Sequence, residues 1–370
     1  MLIKHLVIGG GGPNGFGFYG ILKQLHYKKF WNIKNIETIY SCSIGSYVGF
    51  MLSLKYDFNW IDDYLIKRPW EKITKFKPIS ILNSWNDKGL VGEEIAYEVI
   101  KPLLGAKSLN PNITLKEFYN YTGIEQHFYT TDLNNNCIEK VDLNHKTFPN
   151  LELYKALAMS SAFPVIFKPI MIDNSCYIDG GLLNNFPLDD CLHETECHDD
   201  EILAIRDLIC QLNTNINDDT NLYQYIVNII FSMKRFISSE NKQKIIKNII
   251  TFPGEPFNIN TWMNIMNNEE LRNKYVENGK NIADRFLLDI YNDGDRDNDN
   301  SVHDNDNSVH DNHNSDDDNR NSDHDIHNSL HDNHNSVHDN HNSVDDNHNS
   351  VDHVIINNGA NDNELNEKKY

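Results

Sequence analysis

The 370-residue chain has no apolar run long enough to cross a bilayer, few cysteines and no excess of positive charge. Each absence closes a class of function. A spanning helix needs about 20 consecutive apolar residues. The first apolar run, Leu2 to Ile8, is interrupted by Lys4 and His5 and stops at glycines, too short even for the core of a signal peptide. Membrane contact is therefore expected to be peripheral. The six cysteines (Cys42, Cys137, Cys176, Cys191, Cys197, Cys210) form no Cys-x-x-Cys pair and are too sparse to staple a chain this long. They read as reduced thiols, and the expected location is cytoplasmic. With 33 Lys and Arg against 54 Asp and Glu, the chain has no electrostatic footprint for a phosphate backbone, so no nucleic-acid partner is expected.

Aromatic residues are missing from one stretch. Of the 39 Phe, Tyr and Trp residues, only Tyr370 lies between Asn292 and Tyr370. That segment carries 20 acidic residues against four basic ones, a net charge of −16, which leaves −5 of the chain's −21 for residues 1–291. A segment without aromatics cannot bury enough apolar surface to offset the entropy of ordering. Residues 292–370 thus read as a disordered tail, and 1–291 as one domain. From Asn300 the tail repeats every seven residues, but each unit offers at most one regular apolar site (Val302, Val309, Leu330, Val337, Val344, Val351). A coiled coil needs two, and Asn, Asp and Ser are poor helix formers. Eleven of the 17 histidines lie in the tail beside aspartates; the composition favours a solvated spacer over a metal site.

The body alternates strand and helix patterns. His5 to Ile8 reads as a buried strand, the following glycines as a tight loop, and Phe18 to Tyr27 as a helix. Ile36 to Tyr40 reads as a second strand and Ile44 to Leu54 as a second helix. Further along, Val91 to Leu104 reads as a helix, Thr114 to Glu117 has the spacing of a capping box, and Gln126 to Asp132 and Cys137 to Leu143 read as strands. Leu151 to Met159 reads as a helix, Cys176 to Ile178 and Glu201 to Ile205 as strands, and Leu222 to Ile237 and Glu269 to Leu288 as the last helices. This is the order of an α/β fold, a mainly parallel sheet with helices on both faces. The apolar stripe from Leu222 to Ile237, with the basic residues Lys234, Arg235, Lys242, Lys244 and Lys247 at and beyond its end, fits packing on the sheet or, alternatively, rest on an anionic membrane.

Three motifs could carry chemistry. Gly9 to Gly12 with Pro13, Asn14 and Gly15 lies between a strand and a helix, where glycines can aim several unobstructed NH groups at a phosphate or a developing oxyanion. Gly10, Gly12 and Gly15 match GxGxxG, but a dinucleotide site wants an acid at the end of the second strand, where this chain has Ser41-Cys42-Ser43. Phe16 after Gly15, in place of lysine, excludes a P-loop. Ser41-Cys42-Ser43-Ile44-Gly45 has the form of a GxSxG elbow with its first glycine replaced by serine, in the strand-to-helix context that a nucleophile needs. The same Ser43 could instead be a helix N-cap. Asp179-Gly180-Gly181, at a strand end, could supply a carboxylate that accepts a hydroxyl proton, or could be an Asx turn.

In this order, the three motifs resemble the patatin-like phospholipases. Gly10 to Gly15 is similar to that family's oxyanion loop, Ser41 to Gly45 to its elbow, and Asp179 to Gly181 to its Asp-Gly-Gly motif. The stretches Gly20 to Leu22, Tyr129 to Leu133, Ala158 to Pro164 and Asp179 to Pro187 extend the likeness over roughly residues 1–290. Two departures are Asn14, where the family's loop has a basic residue, and Ser41. The resemblance implies a patatin-like α/β fold and a Ser-Asp dyad: Asp179 takes the proton of Ser43, which attacks an ester carbonyl. The NH groups of Gly10, Gly11, Gly12 and Gly15 would hold the oxyanion, with Ser41, Gly45, Gly180 and Gly181 supporting the turns. It implies a phospholipid or other acyl ester as substrate, and no metal or cofactor. Three rivals remain: a Ser43, Asp179 and His193 or His198 triad, an inactive lipid-binding protein, and a nucleotide-binding enzyme.

Overall fold

Five parallel strands, those in the middle buried on both faces, form the centre of the molecule, the pattern of a parallel sheet covered by helices. They are β1 (His5–Ile8), β2 (Thr38–Cys42), β4 (Glu125–Asp132), β9 (Ile202–Asp207) and β10 (Ile249–Phe252). In this computed structural model, residues 2–303 are described, apart from 74–83, 85, 135–136, 209–215, 241–243 and 255–258. Three antiparallel strands, β5 (Glu139–Leu143), β7 (Ile170–Ile172) and β8 (Ser175–Asp179), extend the sheet beyond β4. Its order is β10-β9-β1-β2-β4-β8-β7, with β5 also on β4. Two short strands, β3 (Gly89–Val91) and β6 (Val165–Phe167), pair in parallel apart from it.

The helices are α1 (Gly15–Tyr27), α2 (Ile44–Ser53), α3 (Phe58–Leu65), α4 (Glu94–Ala106), α5 (Leu115–Thr122), α6 (Leu153–Ser160), α7 (Leu188–Thr195), α8 (Leu222–Glu240), α9 (Ile259–Asn267) and α10 (Glu269–His303). Side chains of successive strand residues point to opposite faces. Leu6, Ile8, Ile39 and Leu203 accordingly join a large core with α1 to α6, α9 and α10, whereas Val7, Tyr40, Cys42 and Ala204 join a second core with Leu188 and Cys191 of α7. Helices cover both faces, as the alternating pattern requires.

α10 lies along α1 with very close backbones. A Cβ at Gly20 would collide with the Val276 carbonyl, and one at Gly279 with the carbonyl of Gly17. Only hydrogen fits at these two crossings.

Local chemistry explains where elements differ from the sequence reading. α1 begins at Gly15, three residues before Phe18, because a 3₁₀ turn at Gly12–Asn14 leads directly into it. Val91 ends a strand, and α4 starts only at Glu94, after Gly92. Thr114 and Glu117 do form the capping box. α10 continues past the compositional boundary at Asn292 to His303, since a nucleated helix extends cheaply even where no apolar face remains. The chain divides into Met1–Ser308 and Val309–Tyr370. The repeats from residue 304 onward lie outside the described residues. α8 packs only in part: Val227 and Phe231 are buried, but Leu222, Tyr225, Met233 and Phe236 are exposed. No helix among the described residues is long and apolar enough to cross a membrane.

Candidate active site

The C-terminal ends of the parallel strands converge on one region, where α/β sheets place their ligands. The register on β4 sets the key neighbours. β4 gives Glu125 to Tyr129 to β2 and Thr130 to Asp132 to β8, with Tyr129 opposite Cys42 and Thr130 opposite Asp179. Asp179 thus occupies the next rung after Cys42, beside the residue that follows it, Ser43.

Ser43 has φ 53° and ψ −124°, a conformation L-residues rarely adopt. Such strain persists only where the surroundings over-determine it. Here the Ser43 N–H donates to Ser160 Oγ at 3.0 Å, and Ser160 Oγ also lies 3.0 Å from Ser46 Oγ. The Ser43 hydroxyl donates to Asp179 Oδ2 at 2.7 Å. It makes no capping bond to α2, so the N-cap reading of this side chain is corrected: its hydrogen bond goes across to β8. Gly45 is needed because α2 starts against the end of β1, where a Cβ would meet the Ile8 and Gly9 carbonyls. Ser41 replaces a glycine without leaving an orphaned hydroxyl, since its buried Oγ donates to the His127 carbonyl at 3.1 Å.

Asp179 is both an Asx turn and a partner for serine. Its Oδ1 accepts the Gly181 N–H at 2.7 Å, leaving Oδ2 for Ser43. Gly180 lies against the Tyr129 carbonyl. Burial raises the Asp179 pKa above the usual carboxylate value, against the opposing pull of the Ser43 and Gly181 hydrogen bonds and of the Lys234 charge. Cys42 Sγ lies 3.9 Å from Asp179 Oδ1, and burial pushes this thiol well up, so it is no rival nucleophile.

The glycine loop departs from the sequence expectation. The Gly10 N–H is engaged by the Asn185 carbonyl at 2.9 Å, and Asn185 Nδ2 donates to the Gly10 carbonyl at 3.0 Å. The Gly15 N–H closes the 3₁₀ turn on Gly12 and Pro13. Neither N–H is available to an oxyanion. Those of Gly11 and Gly12 have no acceptor among the described residues, and both glycines line the same cavity as Ser43. Asn14 is buried against Gly254 and is not part of that lining.

The cavity has a volume of about 380 Å³ and mostly apolar walls, including Tyr47, Met51, Trp70, Val99, Phe163 and Trp262. Ser43, Asp179, Asp207 and Lys234 are its main polar features. No histidine lines it among the described residues, and His193 and His198 are exposed. The triad therefore lacks its imidazole.

One group could present three metal-ligand atoms: His127, Asp142 and Glu194, within 4.8 Å of one another. Burial alone would lower the His127 pKa, but the hydrogen bond to Asp142 and the nearby Glu125 and Glu194 carboxylates raise it to about 9. A protonated imidazole has no lone pair for a metal, so the group reads as an ion-pair network. None of its members lines the cavity.

Sequence reasoning gave no site role to Ser160, Asn185, Asp207 or Lys234. Ser160 and Asn185 lie inside stretches that carry the family likeness, Lys234 is one of the basic residues at the end of the apolar stripe, and Asp207 gave no local signal.

A family model of the patatin-like phospholipases matches residues 6–192, half of the chain. A probable lipid hydrolase, 463L, of Invertebrate iridescent virus 6 is 30% identical over 221 residues, covering 58% of this chain and 73% of the viral protein. An uncharacterized protein, R571, of Acanthamoeba polyphaga mimivirus is 26% identical over 259 residues, covering 67% of this chain and 82% of its own length. Among solved structures, VipD from Legionella pneumophila aligns with 78% of this chain and 67% of its own, at 16% identity and a TM-score of 0.46. ExoU in its complex with SpcU from Pseudomonas aeruginosa aligns with 76% of this chain at 16% identity and a TM-score of 0.35; this chain spans about half of it, 52%.

The molecule is thus an α/β protein with a serine elbow and a carboxylate partner at the wall of an apolar cavity. The chain belongs to the patatin-like phospholipase family, a family of lipid hydrolases.

Proposed function

We propose that this protein hydrolyses acyl esters of glycerophospholipids or related lipids through a Ser43–Asp179 dyad and an acyl-enzyme. The observation that carries the reading is the 2.7 Å hydrogen bond from the strained Ser43 to Asp179 on the wall of an apolar cavity. An alcohol becomes a nucleophile only when an adjacent base takes its proton. Asp179 accepts that proton as Ser43 Oγ bonds to the ester carbonyl carbon, and the Gly11 and Gly12 N–H groups stabilise the oxyanion. Collapse expels the alcohol, which takes the proton back from Asp179. Water, deprotonated by Asp179, then attacks the acyl-enzyme, and collapse releases the fatty acid as the leaving Ser43 oxygen takes that proton back from Asp179. No step calls for a metal or cofactor. Peripheral contact with a lipid surface fits the exposed apolar residues of α8, one of which, Met233, also lines the cavity. The expected setting is the cytoplasm, at membranes.

Mass spectrometry of fatty acids released from mixed phospholipids tests the reading. Ser43→Ala and Asp179→Asn should each lower the rate by on the order of a thousandfold, with little further loss in the double variant, because residues acting as a unit are not additive. His193→Ala and His198→Ala should keep most activity. An active Ser43→Ala protein sinks the acyl-enzyme. Lipid binding without any turnover by the parent would instead support an inactive lipid-binding protein.

A further inference from the structure

The cavity holds a second pair of charged groups that the dyad does not use. Asp207 is the last residue of β9, and Lys234 projects from α8; with Asp179 they are the charged residues of the lining. Asp207 Oδ1 is buried with no hydrogen-bond partner, and Lys234 has neither an ion pair nor a hydrogen bond among the described residues. A buried polar atom without a partner is destabilising unless a ligand or water satisfies it. Lys234 is half-buried and, like Asp207 Oδ1, leaves its polar end to the cavity. Its charge reaches the dyad, where it acts to lower the Asp179 pKa, and acts in the same direction on Asp207.

The identity of the ligand follows from substrate chemistry. In a glycerophospholipid, the phosphodiester sits on the glycerol carbon next to the one bearing the middle acyl ester. A cation in the cavity that presents Ser43 to that ester is placed to meet the phosphate. The glycine loop offers no such cation, since its position 14 is a buried asparagine outside the lining. Building on the function proposed above, we propose that Lys234 and Asp207 form a headgroup subsite. Lys234 holds the phosphodiester anion, and Asp207 accepts a hydrogen bond from an N–H or O–H at the end of the headgroup. The subsite selects phospholipids over neutral acylglycerols, and donor-bearing headgroups over capped ones.

The test uses binding, so that it stands apart from turnover. Full-length Ser43→Ala protein, which keeps the subsite, is titrated calorimetrically with three short-chain lipids below their micelle concentrations: dihexanoylphosphatidylethanolamine, dihexanoylphosphatidylmethanol and dihexanoylglycerol. Both phospholipids should bind at least tenfold more tightly than the diacylglycerol, because a charge-assisted bond to phosphate is the strong kind. Adding Lys234→Gln should erase that advantage, and Lys234→Arg should retain it. Adding Asp207→Asn should weaken the ethanolamine lipid severalfold and leave the methanol lipid unchanged. Inorganic phosphate should compete with both phospholipids, and competition at the same potency by the whole headgroup and by phosphate alone would remove the role of Asp207. Equal binding of phospholipid and diacylglycerol, or a phospholipid advantage that survives Lys234→Gln, overturns the inference. Lys234→Met, which preserves the stem, replaces Lys234→Gln if the latter fails to fold. Parent protein that releases no fatty acid, while these binding differences hold, would refute the hydrolase reading alone.

Discussion

Replacing Ser43 by glycine and, separately, by alanine divides the strain of the elbow from its chemistry. Both substitutions remove Oγ and leave Asp179 Oδ2 without its 2.7 Å donor, so that loss cancels in the comparison. They differ in the Cβ, which alanine keeps at φ 53° and glycine lacks. Holding an L-residue in such a region costs about 1–3 kcal/mol. Glycine gives back about 0.5–1 kcal/mol through the extra freedom of the unfolded chain. The glycine variant should therefore be more stable than the alanine variant by about 0.5–2 kcal/mol. For a large domain that corresponds to a melting temperature higher by roughly 2–4 °C per kcal/mol. Urea unfolding of the two proteins side by side, at one pH and salt, measures the difference directly. Both should be inactive. A glycine variant that unfolds at the same or a lower urea concentration than the alanine variant would refute the argument that the elbow stores strain.

Three further outcomes are expected. The acid limb of kcat/KM should lie above the ordinary aspartate range, because burial raises the Asp179 pKa and the base works only once deprotonated; an acid limb at or below pH 3.8 would contradict its role. Turnover should survive EDTA, since neither step calls for a metal; activity lost to EDTA and restored by calcium would overturn the mechanism. His127 gains its proton's partners on folding, and its folded pKa of about 9 lies above the ordinary 6.5. Its stabilising contribution should be fully present below pH 6.5 and be lost as pH rises through about 9, and His127→Asn should flatten that slope in urea titrations taken across the range.

Ser43 and Asp179 were legible in the sequence because each sits in a short motif at a strand end, where turn chemistry is local. Their contact was not, since it depends on β4 switching from β2 to β8 between Tyr129 and Thr130. The glycine loop shows the limit more sharply. Four glycines announce a turn rich in N–H groups, but which of them are spent is decided by Asn185, far along the chain. The elbow's serine in place of glycine looked like a defect until the His127 carbonyl supplied a partner. Lys234 was read as one of several basic residues following an amphipathic stripe, and only the fold turns it into the cavity. His127, Asp142 and Glu194 come from three separate elements, so no spacing rule could join them. The helix after Asn292 escaped for another reason: composition reports on core formation, which a helix propagated from a packed neighbour does not require.

The glycine crossing between α1 and α10 has a consequence for how the protein is made. α1 carries the end of the glycine loop, and its backbone is seated against Val276 and Gly279. β1, which leads into that loop, is flanked by β9 as well as by β2. Both late partners lie beyond residue 192, where the match to the family model ends. At about 5–20 residues per second, the ribosome releases the two sides of the helix crossing on the order of tens of seconds apart. During that interval β1 has an unpaired edge and α1 an uncovered face, the kind of surface that makes a partly made chain prone to aggregation. If the proposed chemistry holds, competence is expected only after α10 has emerged and docked on α1.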